Sequence, residues 1–241
     1  MSSSPILAVV FDLDHTLFDR YATLRKTAHD LFLERREWIS SDVSEKETAD
    51  VMIEADGRYI TSGWSAVYPH WLEKGILALD EKGEPVVSRA ELFDFIWNIS
   101  FLRHAEKFPF TIPTLQRLHE MGLKIGLITN AANEEGIRRQ RAKLEMLGLS
   151  DKFDEILITG QVGIHKPNRG VFDIMKWRLD IPAENMLYVG DHPINDVEGS
   201  KNAGYTPVWV SLRAEYGETA ECEYKVKDVS EVVEIVERKA R

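Results

Sequence analysis

The chain has 241 residues, 44% of them hydrophobic, with 29% charged residues and a formal net charge of −10. That acidity excludes an extended nucleic-acid or anionic-membrane surface, which needs clustered Lys and Arg, but leaves room for a basic pocket around one small anion. A single cysteine, Cys222, excludes an intramolecular disulfide and a multi-cysteine metal site, and no apolar run approaches the roughly 20 residues that span a bilayer. The start, Met1-Ser2-Ser3-Ser4-Pro5, lacks the basic and apolar regions of a secretory signal. The expected class is a soluble, reduced, cytoplasmic protein.

The first element is the apolar run Ile6-Leu7-Ala8-Val9-Val10-Phe11, which reads as a strand buried on both faces. Asp12 and Asp14 follow at once. A buried carboxylate costs several kcal/mol unless something positive meets it, and a metal ion is the obvious partner. If the chain leaves the strand between the two acids, the backbone of Asp14 can also turn a carbonyl toward that ion. The competing reading is that Asp14 opens a turn or caps a helix.

From Asp19 to about His104 the pattern is helical with no strong strand signal, broken by the polar patch Ser40-Ser41-Asp42-Val43-Ser44 and by a turn at Glu81-Lys82-Gly83-Glu84-Pro85. Leu24, Ala28, Leu31 and Phe32 recur at helical spacing. A second amphipathic run covers Glu45 to about Thr61, an aromatic-rich piece follows with Trp64, Tyr68 and Trp71, and Ser88 to Leu102 reads as another helix. This segment is expected to be a helical module inserted after the first strand. Beyond Phe110 the pattern alternates. Helices are expected at 113–121, 134–147, 169–179 and 194–203, strands at 124–128, 155–158, 185–189 and 207–210, and a last helix around Val229, Val232, Val233 and Val236. Strands alternating with helices predict a parallel, doubly wound sheet with right-handed crossovers.

In such sheets ligands bind outside the carboxyl ends of the strands, and the polar residues fall there. Asp12 and Asp14 end the first strand; Thr129 and Asn130 the second. Lys166 follows the third, and Asp191 with Asp196 the fourth. Asp12, at the most rigid position, suits a nucleophile that attacks phosphorus. Asp14 could protonate the leaving oxygen and later deprotonate water. Asp191, with Asp12 and the backbone carbonyl of Asp14, suits Mg²⁺, which prefers oxygen ligands and keeps several waters, and Asp196 could hold one of those waters or ligate directly. The Thr129 hydroxyl and the Asn130 amide can hold phosphate oxygens at a strand-to-helix turn. Lys166, kept extended by Pro167, can aim a positive charge at the phosphoryl group. Singly, each has an ordinary reading as a cap, a loop or a turn; their succession, each after an apolar strand, argues for a site.

These residues also resemble the motifs of the haloacid dehalogenase (HAD) superfamily. Phe11-Asp12-Leu13-Asp14-His15-Thr16 looks like its first motif, Ile128-Thr129-Asn130 its second, Lys166-Pro167 its third and Gly190-Asp191-His192-Pro193-Ile194-Asn195-Asp196 its fourth. The resemblance implies an α/β Rossmann-like core over 1–18 and 106–241 and a helical C1 cap over 19–105. It implies Asp12 as nucleophile, Asp14 as acid/base, Thr129, Asn130 and Lys166 on the phosphate, and Mg²⁺ near Asp191. Because Asp14 supplies the leaving-group acid that true dehalogenases lack, it favours a phosphatase; a phosphomutase and a non-catalytic phosphate-binding protein are the alternatives. Gln140-Arg141-Ala142-Lys143-Leu144-Glu145 is similar to the branch holding pyrimidine 5′-nucleotidases and N-acylneuraminate-9-phosphatases. Ala131-Ala132 departs from the glycine of many relatives. The expected partner is a small phosphorylated metabolite, a nucleotide or sugar phosphate foremost, with neither nucleic acid nor membrane, in a monomer or homodimer. Cap residues that could read the leaving group include Arg58, Trp64, Tyr68, His70, Trp71, Arg103 and His104, although the tryptophans better suit the cap's own core and none of the seven is named a site residue.

Overall fold

A computed structural model describes residues 5–62, 64–211 and 222–239, and the side chains among these other than those of 57–66. The chain divides into two compact units, Met1–Asp19 with Lys107–Arg241, and Arg20–Glu106.

The first unit is built on six parallel strands: β1 (Ala8–Phe11), β2 (Lys124–Thr129), β3 (Glu155–Ile158), β4 (Met186–Gly190), β5 (Thr206–Val210) and β6 (Tyr224–Val226). Their order is β3-β2-β1-β4-β5-β6, which makes the sequence reading of a doubly wound parallel sheet correct. β1 is central, paired through Phe11 to Leu127 on one side and Val189 on the other. The order reverses between β1 and β4, which is where such sheets leave a crevice at the strand ends. All four residues of β1 and all five of β4 are buried, as their unbroken apolar sequences require. Ala8 and Val10 face a core with Val171, Phe172 and Met175. Their neighbours Val9 and Phe11 face the opposite layer by strand alternation.

The second unit is helical: α1 (Arg20–Glu34), α2 (Glu45–Ser62), α3 (Trp64–Glu73) and α4 (Arg89–Phe93), which continues through a π-helical stretch, Asp94–Ser100, into α5 (Phe101–Arg103). α4 opens on a reciprocal cap in which Ser88 and Glu91 satisfy each other's backbone amides. Inside this unit Arg20 Nε donates to both oxygens of Asp56, at 2.9 and 3.0 Å, and the guanidinium lies over the rings of Trp97 and Phe101. Trp71 and His70 are buried, the Tyr68 hydroxyl donates to Val87 O, and Arg103 and His104 both pair with Asp30. These candidates for reading a leaving group therefore have structural work within their own unit. Arg58 and Trp64 lie outside the described side chains.

The sheet is covered by α6 (Thr111–Glu120), α7 (Glu134–Met146), α8 (Arg169–Leu179), α9 (Gly199–Asn202) and α10 (Val232–Lys239). Asn133 caps α7 through Gly136 N, and Gly148, just past its end, takes a positive φ of 63°. Where one helix over 194–203 is expected, the chain instead makes a π-helical turn, Pro193–Glu198, before α9. The strand β6 is absent from the sequence reading, because three residues, Tyr-Lys-Val, are too few to carry a period-two signal. Cys222 lies within hydrogen-bond reach of Pro207 O and Tyr224 O, and burial pushes its thiol up, away from the reactive thiolate.

Candidate active site

β1 stops at Phe11, yet Asp12 N still donates to Val189 O at 2.8 Å. Asp12 is thus held by the sheet while its side chain stands at the end of it. The chain then leaves. Leu17 N returns to Leu13 O at 2.9 Å, and His15 takes the left-handed conformation, φ 62°, which makes the turn tight. Asp14 is carried out of the strand and meets Phe18 in an isolated bridge. Two acids two residues apart therefore end in different environments.

The carboxylates of Asp12, Asp191 and Asp196 are buried, and one oxygen of each lies within 4.8 Å of the others. Lys166 Nζ stands among them, 2.6 Å from Asp12 Oδ1 and 2.7 Å from Asp196 Oδ1. It also donates to the Tyr188 hydroxyl at 3.0 Å. Asp12 is raised to about 7: burial is the largest cause, Asp196 and Asp14 add to the rise, and Lys166 opposes it. Burial alone would lower the Lys166 ammonium, but Asp12 and Asp196 outweigh it and hold it well above the ordinary lysine value. When all three acids are ionised, the three carboxylates outnumber the one ammonium and leave two negative charges in excess. An all-oxygen donor set with that excess fits a hard divalent cation.

The acids after β4 are placed by specific local chemistry. Trp209 Nε1 donates to Asp191 O at 2.8 Å, which fixes the start of the loop. Asp196 folds back over Gly190, where a Cβ would come within 2.5 Å of the Asp196 carboxylate. Only glycine allows that approach. His192 N donates to Asp196 Oδ2 at 3.0 Å, and His192 Nδ1 accepts from the amides of Ile194 and Asn195. The π-helical turn over 193–198 is what turns Asp196 back toward the strand ends.

Thr129 closes β2, beside β1, and is buried. Asn130 follows it, and its side chain braces the loop that carries Lys166: Oδ1 accepts from Lys166 N at 3.0 Å and Nδ2 donates to Lys166 O at 3.3 Å. The Lys166–Pro167 peptide is cis. The structure thus gathers Asp12, Lys166, Asp191 and Asp196 at one edge, whereas the carboxylate of Asp14 accepts from Lys143. Three contributors escaped the sequence reading. Tyr188, Gln140 and Lys143 touch the acids or Lys166. A phenol inside an otherwise aliphatic strand and a lysine next to Leu144 on the buried face of α7 were the available signals.

Residues 9–210 match the model of the haloacid dehalogenase-like hydrolase family. A glyceraldehyde 3-phosphate phosphatase of Methanopyrus kandleri is 27% identical over 204 residues, 84% of this chain and 83% of that protein. A ribulose-1,5-bisphosphate 5-phosphatase of Halopiger xanaduensis is 30% identical over 205 residues, 83% of each. Among solved structures, a HAD-type hydrolase of Bacillus subtilis bound to magnesium superimposes with a TM-score of 0.76, at 17% identity, over 97% of this chain and all of that one, a likeness of fold.

Proposed function

Because this chain belongs to the haloacid dehalogenase-like hydrolase family, we propose that it is a Mg²⁺-dependent phosphatase of a small phosphate monoester, acting through an aspartyl-phosphate on Asp12. The observation that carries this reading is the strand-end cluster of Asp12, Asp191 and Asp196 around Lys166, with a second acid, Asp14, outside it. Relatives named as phosphatases of a triose and a pentulose phosphate favour a sugar phosphate as substrate. The helical unit, Arg20–Glu106, is assigned the choice of leaving group.

The chain's own residues account for the two steps. An oxygen of Asp12 attacks phosphorus, the bond from phosphorus to the ester oxygen breaks, and Asp14 gives that oxygen a proton. In the second step Asp14 takes a proton from water as the water attacks the phosphoryl group. The bond from phosphorus to Asp12 breaks, inorganic phosphate leaves and both acids are restored. Lys166 neutralises the charge on the phosphoryl oxygens, and Thr129 with the Asn130 amide holds them. Asp12, Asp191, Asp196 and the carbonyl of Asp14 would hold Mg²⁺, which supplies charge neutralisation for an anion meeting an anion.

The test is phosphate release from a panel of sugar phosphates, nucleoside monophosphates, phosphoglycolate and a chromogenic aryl phosphate, with Mg²⁺ and with EDTA. Release should need Mg²⁺ and vanish in Asp12→Asn. Near-normal turnover in that variant would remove Asp12 as nucleophile. Release from none of them, with a bisphosphate-primed transfer between sugar hydroxyls instead, would make the protein a mutase.

A further inference from the structure

We infer that Gln140 and Lys143 form a clamp that positions the carboxylate of Asp14 for proton transfer, an inference that rests on the phosphatase reading above. Lys143 Nζ donates to Asp14 Oδ1 at 2.7 Å. Gln140 Nε2 donates to Asp14 Oδ2 at 3.4 Å and to Asn130 O at 3.1 Å. The two residues are three apart on α7, so one face of one helix addresses both oxygens of one acid. The amide of Gln140 has its orientation set by these two acceptors, both of which require its NH₂ group.

The pair is costly by any structural criterion. Only 5% of the Lys143 side chain is exposed, against 23% for Asp14. An ammonium is being kept out of water on a helix face that otherwise buries Ile137 and Leu144. An aliphatic residue would fill that position without the cost. Lys143 Nζ also sits 5.0 Å from the centre of the Phe18 ring, which holds the side chain extended toward Asp14. Meanwhile Asp14 sits past the end of β1, where its backbone meets Phe18 in a single bridge. An acid that must meet first an ester oxygen and then a water needs a defined direction, and a carboxylate has lone pairs to spare after two donors are satisfied. Lys143 and Gln140 are thus positioning residues; they act through Asp14.

The experiment is a double-mutant cycle on the full chain with Mg²⁺, using whichever phosphomonoester of the panel is turned over fastest. Lys143→Met should lower kcat 10-fold to 100-fold, with KM within twofold of wild type. Gln140→Leu should show a smaller loss of the same kind, and Lys143→Arg should recover part of it. Combined with Asp14→Asn, Lys143→Met should cost little more than Asp14→Asn alone, because the clamp then has nothing to position. An unchanged Mg²⁺-induced rise in Tm shows that each variant is folded with its metal site intact. The inference is overturned if Lys143→Met keeps kcat within twofold, if its effect multiplies with that of Asp14→Asn, or if KM alone rises, which would make Lys143 a substrate ligand. Activity retained in Asp12→Asn would instead overturn the phosphatase reading itself, so the two failures are distinct.

Discussion

Replacing Asp12 by Asn should abolish turnover and yet make the metal-free protein more stable in mildly alkaline solution. In the folded chain the Asp12 carboxyl is raised from 3.8 to about 7, with burial the largest cause. A pKa change of one unit corresponds to ~1.36 kcal/mol, so the ionised form is disfavoured by about 4 kcal/mol relative to the unfolded chain. The sign follows from the direction of the shift. The stabilising preference for the protonated acid is complete below the unfolded value, near 3.8, and is lost as the pH rises through about 7. Asn carries no charge at any of these pH values, so it escapes the loss. It also deprives Lys166 of one carboxylate, but Asp196 remains 2.7 Å away. The value of about 7 already includes the pull of Lys166, so the expected gain at pH 8 is at most on the order of the same 4 kcal/mol, or roughly 8–16 °C in Tm for a chain of this size. The assay is thermal and urea unfolding of both proteins in EDTA at pH 4, 6 and 8. The advantage of Asn should grow from near zero at pH 4, and Mg²⁺ should close it by binding the wild type more tightly. An advantage independent of pH, or a less stable variant at pH 8, would refute the electrostatic account of the cluster.

Lys166→Met leaves Asp12 and Asp196 without their shared ammonium, and should cost about 3–5 kcal/mol of metal-free stability at pH 8, measured by urea unfolding, with a smaller loss at pH 4, where Asp12 is protonated. Gly190→Ala drives a methyl into Asp196; its Mg²⁺ affinity, read by titration of Tm or by calorimetry, should fall at least tenfold while its circular dichroism stays that of the wild type. Asp56→Ala removes a carboxylate from the buried Arg20 guanidinium inside the helical unit and should destabilise that unit by about 3 kcal/mol, seen as an earlier unfolding transition.

The sheet was legible because its signal is local. β1 to β5 are apolar runs that stop on polar residues, and each stop lies at the same edge of the sheet. Asp12 and Asp191 were legible for the same reason, since a strand end fixes where the next residue goes. What could not be read were partners brought together across long stretches of chain. Lys143 lies 129 residues from Asp14, and its place beside Leu144 on α7 points to burial but not to the acid it meets. Tyr188 has the same difficulty: its ring belongs to the core with Phe172 and Tyr205, and only its hydroxyl reaches Lys166. The single expected helix over 194–203 failed for a different reason. Periodicity cannot tell a π turn from an α turn over six residues, and the turn is set by the need of Asp196 to lie over Gly190.

The chain leaves the sheet unit after Asp19 and returns at Lys107, and the two crossings are fastened to each other. Phe18 and Lys107 form an antiparallel bridge, Phe108 N donates to Leu17 O at 3.3 Å, and the buried Thr111 hydroxyl donates to the same oxygen at 2.6 Å. A segment whose two ends are already tied costs its host little more when it is lengthened, because closure entropy grows only with the logarithm of length. Whatever is threaded between residues 19 and 107 can therefore be lengthened or reshaped at little entropic cost while β1 and the acid at its end keep their register.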